Sequence, residues 1–218
     1  MKFIKYLSLF FCFILVGIFT IFFVYPNSFF INSLAKSTDI SYGYSEGTLH
    51  KGSLNDFKFK NIGFDRVEYK NTIYFKSLTS VISTFGSHKA TIKLNHILNT
   101  NMLDININTL SSKIELNEFL NLISLDIEKG SILYDFNNSR CESANGDGYL
   151  SNDLLGRINL TIECRNGKLI AILKKNKINV GQMRLYDNYV ETEISKSVLP
   201  SRMRKFIKDE FLFIRSNY

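Results

Sequence analysis

Residues 158–173 read INLTIECRNGKLIAIL and carry the clearest structural signal in the chain. Apolar and polar side chains alternate through the first half, so that Ile158, Leu160 and Ile162 share one face of an extended strand. Cys164 keeps the same phase and should point toward a core. The pair Asn166-Gly167 predicts a tight type I′ turn, because both residues accept the positive φ that this turn requires. The stretch therefore predicts an antiparallel hairpin with one apolar face.

The same alternation recurs at 103–108 and at 123–128. Glycine-containing turns are predicted at 61–63, 128–130 and 145–148. We therefore expect a mainly β domain built on a curved antiparallel β-sheet. Shorter extended segments are predicted at 57–60, 66–69, 73–76, 89–94, 132–136, 169–173 and 189–194.

Two short helices are expected to interrupt this sheet. Apolar residues recur at helical spacing in 115–122 and again in 201–214. Pro200 precedes the second segment, and proline is typical of the first turn of a helix. The glycine-containing segments 46–52 and 145–150 resemble each other, which leaves open a sheet built from two similar halves.

An uncharged run extends from Tyr6 to Tyr25, directly after Lys2 and Lys5. An α-helix rises about 1.5 Å per residue, so roughly 20 apolar residues cross a hydrocarbon core of about 30 Å. The positive-inside rule keeps the two lysines in the cytoplasm and sends the following chain across the membrane. The residues expected to form this anchor are Tyr6, Phe10, Phe11, Phe13, Ile14, Leu15, Ile18, Phe19, Ile21, Phe22, Phe23 and Tyr25.

These features divide the chain into a cytoplasmic stub at 1–5, a transmembrane helix at 6–25 and an exported β-rich domain at 26–218. The alternative is a cleaved signal peptide, whose apolar region spans only about 7 to 15 residues. The uncharged run is longer than that, which favours a retained anchor.

Two cysteines, Cys141 and Cys164, lie beyond the predicted membrane span. A chain exported to an oxidising compartment rarely keeps two lone thiols unless they pair. We therefore predict a disulfide, which is worth about 3 kcal/mol for a loop of this length in the chain-entropy model. Two unrelated thiols are the alternative. Cys12 lies inside the apolar run and is expected to behave as a small hydrophobic residue.

The net charge of +7 comes mainly from the two ends of the chain. Lys2, Lys5 and the segment 196–218 contribute most of the excess, and the sequence between them is nearly neutral. Nucleic-acid binding needs a broad basic face, so we expect no nucleic-acid partner. The basic tail could contact anionic headgroups or an acidic partner.

The sequence gives little indication of catalysis. The chain contains no H-E-x-x-H or phosphate-binding loop motif. His50, His88 and His96 are separated from carboxylates in the sequence and are interpreted as surface histidines. Residues 143–148 resemble a calcium loop, but Leu154 stands where a bidentate glutamate is needed. We therefore expect no enzymatic activity, metal or cofactor, and favour a scaffold or binding role.

Two further segments contain short sequence motifs. EGTLHKGSL at 46–54 contains G-T-x-x-x-G, and LTIECRNGKL at 160–169 contains C-x-x-G-x-L, with Cys141 upstream. Together with the basic N-terminus and single span, they resemble the type II secretion system protein N family. The resemblance implies a single-pass protein of the bacterial inner membrane with a periplasmic domain. It also implies a non-catalytic role in assembling a secretion or type IV pilus-like apparatus, with other secretion-system proteins as partners.

The same combination of a membrane anchor and a β-sheet with one apolar face supports a second hypothesis. A membrane-anchored periplasmic protein with an apolar β-groove could bind or transfer lipid or lipopolysaccharide. The two hypotheses differ in whether the apolar side of the sheet is filled by its own side chains or left open for a ligand. The residues expected on that side are Leu103, Ile105, Ile107, Ile123, Leu125, Ile127, Ile158, Leu160 and Ile162.

Overall fold

The computed structural model describes residues 2–36, 38–60, 62–74, 76–97, 100–115, 122–153, 155–186, 189–205 and 207–217. Side chains are described from residue 12 onward within these ranges, except at 34, 114–115, 122–123 and 216–217. Two helices come first, α1 (Lys2–Phe23) and α2 (Asn27–Ala35). A sheet follows them.

Fourteen strands make up the sheet in the described part of the chain. A 3₁₀ turn (Lys196–Val198) and the short helix α3 (Ser201–Arg204) lie between the last two strands. The domain is therefore mainly β, as predicted. The strands are β1 (Ile40–Ser41), β2 (Tyr44–Gly47), β3 (Lys51–Phe59), β4 (Ile62–Tyr74), β5 (Ser77–Phe85), β6 (His88–Ile97), β7 (Met102–Glu115), β8 (Leu122–Asp135), β9 (Arg140–Asn152), β10 (Gly156–Arg165), β11 (Lys168–Lys175), β12 (Ile178–Leu185), β13 (Tyr189–Ser195) and β14 (Phe211–Asn217).

Strands that are adjacent in sequence are also adjacent in the sheet from β3 to β14. All of these pairs are antiparallel, and the short strands β1 and β2 both pair with β3. In the β10–β11 hairpin, Arg165 lies opposite Lys168, and Asn166 and Gly167 have φ values of 53° and 74°. The predicted antiparallel sheet and its tight turn are both confirmed.

Two of the predicted turns are wrong, because they lie inside long strands. Residues 128–130 belong to β8, and residues 145–148 belong to β9. The register of β8 shifts after Ile127, where a bulge interrupts the alternation. A Cβ on Gly148 would come within 2.2 Å of the Asp126 carbonyl oxygen. Glycine here marks the close approach of two strands and not a turn.

The helix expected at 201–214 is wrong in its extent. Helix α3 covers only four residues, and Phe211 begins β14, which pairs along its length with β13. This pairing gives the backbone N–H and C=O groups of β14 hydrogen-bond partners and leaves Ile214 only 4% exposed. The helical spacing of apolar residues in the sequence does not predict such a long-range pairing. The other expected helix, at 115–122, has its centre at 116–121, outside the described residues.

One face of the sheet, the inner face, is apolar across many strands. Cross-strand neighbours place Ile107 and Ile162 in one row, and Leu125 and Ile158 both lie opposite Leu150. The single apolar face predicted from three alternating strands is confirmed. Apolar members of the inner face include Leu78, Ile82, Ile92, Leu94, Leu103, Ile105, Ile107, Leu110, Leu125, Ile127, Ile132, Leu150, Ile158, Leu160, Ile162, Leu173, Ile194 and Leu212.

From β7 to β14, which we call the packed half, the inner face forms a hydrophobic core. Ile158 is 1% exposed, and Leu173 and Ile194 are fully buried. The segment between β13 and β14 covers this core, with Leu199 fully buried in the same cluster. The Arg204 Nε donates to the Leu199 carbonyl oxygen at 2.7 Å and holds the segment in place. The packed half is therefore filled by its own side chains.

From β4 to β6, which we call the open half, most of the same face stays partly exposed, although Val67 of β4 is buried. Leu78, Ile82, Ile92 and Leu94 are neither fully buried nor fully exposed. The described core cluster includes none of these four side chains. The interior of the sheet is thus filled at its C-terminal end and partly accessible nearer to the helices.

Candidate functional site

Helix α1 contains most of the predicted anchor residues. Lys2, Lys5, Tyr6, Phe10 and Phe11 lie in its first part, whose side chains are not described. In the ranges that the structure describes, no helix is both long enough and apolar enough to span a membrane. The anchor residues with exposed side chains are Phe13, Ile14, Leu15, Ile18, Phe19, Ile21, Phe23 and Tyr25, whereas Phe22 is partly buried.

The end of α1 contacts the turn between β2 and β3. The His50 backbone N–H donates to the Phe22 carbonyl oxygen at 3.0 Å. The rings of Phe22 and Phe23 lie 5.8 and 4.7 Å from the imidazole of His50. This contact fixes the direction in which the helix leaves the sheet. We call it the junction, and it comprises Phe22, Asn27, residues 46–52, Tyr69 and Asn71.

Asn27, the first residue of α2, ties that helix to the same turn. It is only 1% exposed, and its Nδ2 donates to the Glu46 carbonyl oxygen at 2.7 Å and to the Tyr69 hydroxyl at 2.8 Å. The Tyr69 hydroxyl in turn donates to the Thr48 carbonyl oxygen at 2.8 Å. A β-bridge between Pro26 and Thr48 adds a backbone contact. These two hydrogen bonds use both N–H groups of the buried Asn27 amide.

Asn71 holds the turn from the side of β4. Its Nδ2 donates to the Leu49 carbonyl oxygen at 2.7 Å, and its backbone N–H donates to the His50 carbonyl oxygen at 2.7 Å. Sequence reasoning missed Asn27, Tyr69 and Asn71 as parts of a site. One signal was present, because Asn71 follows the alternation of Val67 and Tyr69 at a position where an apolar residue is expected.

The glycines of the G-T-x-x-x-G segment are required by the junction. Gly47 has a φ of +92°, and a Cβ there would lie 2.4 Å from the Lys51 carbonyl oxygen. A Cβ on Gly52 would lie 2.6 Å from the Asn27 Nδ2 and 2.6 Å from the Tyr69 hydroxyl. Real Cβ atoms do not approach other atoms so closely, so any larger residue at Gly52 displaces the asparagine or the tyrosine.

The predicted disulfide between Cys141 and Cys164 is confirmed. The two Cα atoms lie 5.6 Å apart, within the range for disulfides. Cys141 is 4% exposed, and Cys164 packs against the core of the packed half. The Cys141 backbone N–H also donates to the Gly167 carbonyl oxygen at 2.8 Å, so the bond reinforces an existing contact with the β10–β11 turn.

In the part of the chain that the structure describes, no histidine forms an ion pair with an acidic side chain. The Nδ1 of His50 lies 2.7 Å from the Asn71 carbonyl oxygen, and the Nδ1 of His88 lies 2.6 Å from the Ser112 hydroxyl. All three histidines, His96 included, are partly buried, and His50 and His88 are hydrogen-bonded, so they are less exposed than ordinary surface histidines. Among the described residues, no three or more His, Cys, Asp or Glu side chains are grouped so that they could hold a metal ion.

Replacing Tyr69 with phenylalanine is expected to remove part of the alkaline loss of stability. Burial raises the pKa of Tyr69 above its ordinary value of 10.0, and the hydrogen bond from Asn27 offsets this only in part. The folded state thus holds the proton more tightly, so this contribution is complete below pH 10 and is lost as the pH rises through the folded-state pKa. Unfolding curves of both proteins across that range measure the difference. The same pH dependence of the unfolding free energy in the wild type and in Tyr69→Phe would contradict this prediction.

The two segments behind the family resemblance have structural roles. The segment 46–54 forms the junction turn and the start of β3, and the segment 160–169 forms the β10–β11 hairpin with its disulfide. Comparison of the chain with models of known protein families, with curated proteins and with solved structures finds no match.

Proposed function

We propose that this chain is a non-catalytic, single-pass protein of the bacterial inner membrane. Its N-terminal stub lies in the cytoplasm, α1 anchors it, and its sheet lies in the periplasm. There it contacts protein components of a type II secretion or type IV pilus-like apparatus. The exposed apolar side chains of α1 support the anchor, because Phe13, Leu15 and Phe19 are 78%, 64% and 60% exposed. Lipid is the environment in which such a surface is stable.

The filled interior of the packed half favours a protein-contacting role over a lipid-carrying role. A lipid carrier needs an apolar cavity that its own side chains do not occupy. Leu173, Ile194 and Leu199 instead close the inner face from three different segments, with no exposed surface. Partners would then bind to the outside or the edges of the sheet. The junction supports the same role, because it fixes the sheet relative to the anchor.

The open half favours a second candidate, the binding or transfer of lipid or lipopolysaccharide. Its inner face carries Leu78, Ile82, Ile92 and Leu94 with partial exposure. Strands β5 and β6, which carry these side chains, follow directly after β4. Strand β4 belongs to the junction through Tyr69 and so lies next to the end of α1. An acyl chain leaving the membrane would meet this face first.

Site-specific photo-crosslinking separates the two candidates. A photoreactive amino acid at Ile92 samples the inner face of the open half, and one at Lys93 samples the outer face of the same strand. Under the first proposal, irradiation of cells gives no more lipid adduct at Ile92 than at Lys93. A lipid adduct specific to position 92 would reject the first proposal in favour of the second.

Deletion of the gene tests the assembly role directly. We expect impaired protein export or surface-fibre assembly, restored by the wild-type gene, with the lipid composition of the outer membrane unchanged. The reason is that a scaffold acts on the assembly of its partners and moves no lipid itself. A lipid defect with normal export would contradict the proposal.

A further inference from the structure

The two edges of the sheet differ in how they are protected. In the described part of the chain, β14 pairs only with β13, in a continuous register. The strands at the opposite edge, β1 and β2, are only two and four residues long, and α2 packs against both. Short strands and a covering helix are common ways to keep a sheet edge from pairing with another chain. Of the two edges that the structure describes, only that of β14 presents an uncovered strand of seven residues.

The pairing of β14 with β13 shows which backbone groups of β14 face outward. The Lys196 backbone N–H donates to the Glu210 carbonyl oxygen at 2.8 Å, and this bond continues the register of the two strands. Backbone groups of successive residues point to alternate sides of a strand. Every second residue from Glu210 onward therefore faces β13. The N–H and C=O groups of Phe211, Phe213 and Arg215 point away from the sheet, where the described residues supply no further strand.

The side chains of β14 do not discourage pairing with another strand. The stretch from Phe211 to Ile214 contains neither a charged residue nor a proline, and these are the residues with which natural edge strands avoid unwanted pairing. Phe213 lies on the outer face with Glu193 and is 60% exposed, and Phe211 is 36% exposed. A regular, apolar and exposed edge strand of this kind accepts a further strand through its free backbone groups.

We infer that β14 pairs antiparallel with β14 of a second copy of this chain, about a two-fold axis at Phe213. Phe213 then faces its own counterpart, and Phe211 faces Arg215 of the other copy. These are the residues whose backbone groups point outward, so the two strands exchange hydrogen bonds along the whole contact. Leu212 faces Ile214 on the inner face. Aromatic, arginine–aromatic and aliphatic pairs are each favourable between neighbouring strands, so the edge is complementary to itself.

The protected opposite edge favours a closed pair over an open chain of copies. Pairing of β14 with β1 or β2 of another copy would repeat without end, but those strands offer at most four residues beside α2. Two-fold pairing uses one edge twice and closes at two copies. Neighbouring strands are rotated by about 20–25°, so β14 runs in a very different direction from β3 at the junction. The reversed strand direction across the axis therefore does not force the two α1 helices to point in opposite directions.

Crosslinking of single cysteines tests the contact and its register. Phe213→Cys is introduced into the full-length Cys12→Ala protein, which keeps its disulfide, and the purified protein in detergent is treated with a short thiol-specific crosslinker. We expect a covalent dimer as the main product. Phe85→Cys, a 44% exposed position on β5, is the matched control and should stay monomeric. Equal dimer from both variants would overturn the inference. In cells, a crosslink from position 213 to a different protein in place of the dimer would also overturn it.

A proline at position 213 separates strand pairing from contact between the rings. Phe213→Pro removes an outward N–H and no hydrogen bond to β13, so circular dichroism should show an intact sheet. Phe213→Thr also loses the ring but keeps the N–H. Light scattering of the full chain in detergent should show a dimer for the wild type, a weakened dimer for Phe213→Thr and only monomer for Phe213→Pro. A monomeric wild type, a dimer that persists in Phe213→Pro, or equal loss in both variants would overturn pairing through the strand edge.

Discussion

The Leu173→Ala variant is expected to lose about 2–5 kcal/mol of unfolding free energy. Leu173 is fully buried, and its cross-strand neighbours on the inner face are Leu160 and Gly181. Gly181 has no side chain that could move into the space left by the truncation. The described residues between β13 and β14, among them the fully buried Leu199, also close the packed half, so the cavity cannot fill with solvent at low cost. Chemical unfolding of the full chain in detergent measures the loss.

Leu94→Ala is the matched control on the same face of the open half. Leu94 is partly exposed and lies outside the described core cluster. Its truncation should cost less than half as much, because less apolar surface returns to water and no closed cavity forms. Equal losses for the two variants would contradict the division of the sheet into a packed and an open half.

Removing the disulfide by replacing Cys141 and Cys164 with alanine is expected to cost about 2–5 kcal/mol. The bond joins residues 23 positions apart and restricts the unfolded chain. Its loss also leaves space beside the buried Cys141 site. Unfolding curves with and without reductant measure the effect, and reductant should change only the wild type.

Cys12→Ala is the control for the disulfide, because Cys12 is a free and exposed cysteine in α1. It should leave both the stability and the response to reductant unchanged. Alkylation of Cys141 and Cys164 in native protein prepared without reductant would show that the pair is open and would contradict the prediction.

Local patterns in the sequence were sufficient for much of the sheet. Alternation identified β7 and β10, because a half-buried strand repeats its environment every second residue. Asn166-Gly167 identified a turn, because its positive φ values are a local property. Glycine was misleading at 128–130 and 145–148, where it serves a bulge and a close strand approach. A glycine alone does not tell which of these uses applies.

Non-local contacts explain what the sequence did not reveal. The apolar spacing in 201–214 suits a helix, but pairing with β13 makes its last part a strand. The junction likewise joins Asn27, Tyr69 and Asn71 with a turn that lies between them in the sequence. The G-T-x-x-x-G form marked that turn as special. Its partners come from other segments, and only the folded chain brings them together.

The location of the sheet is the central claim, and a reporter fused after Tyr218 tests it most directly. The prediction of a membrane anchor depends on Lys2, Lys5 and the uncharged run that follows them. The disulfide agrees with it, because such bonds persist in oxidising compartments. We predict that an alkaline phosphatase fused there is active in intact bacterial cells and stays with the membrane fraction. An inactive phosphatase fusion, with a cytoplasmic reporter active at the same position, would contradict an exported sheet.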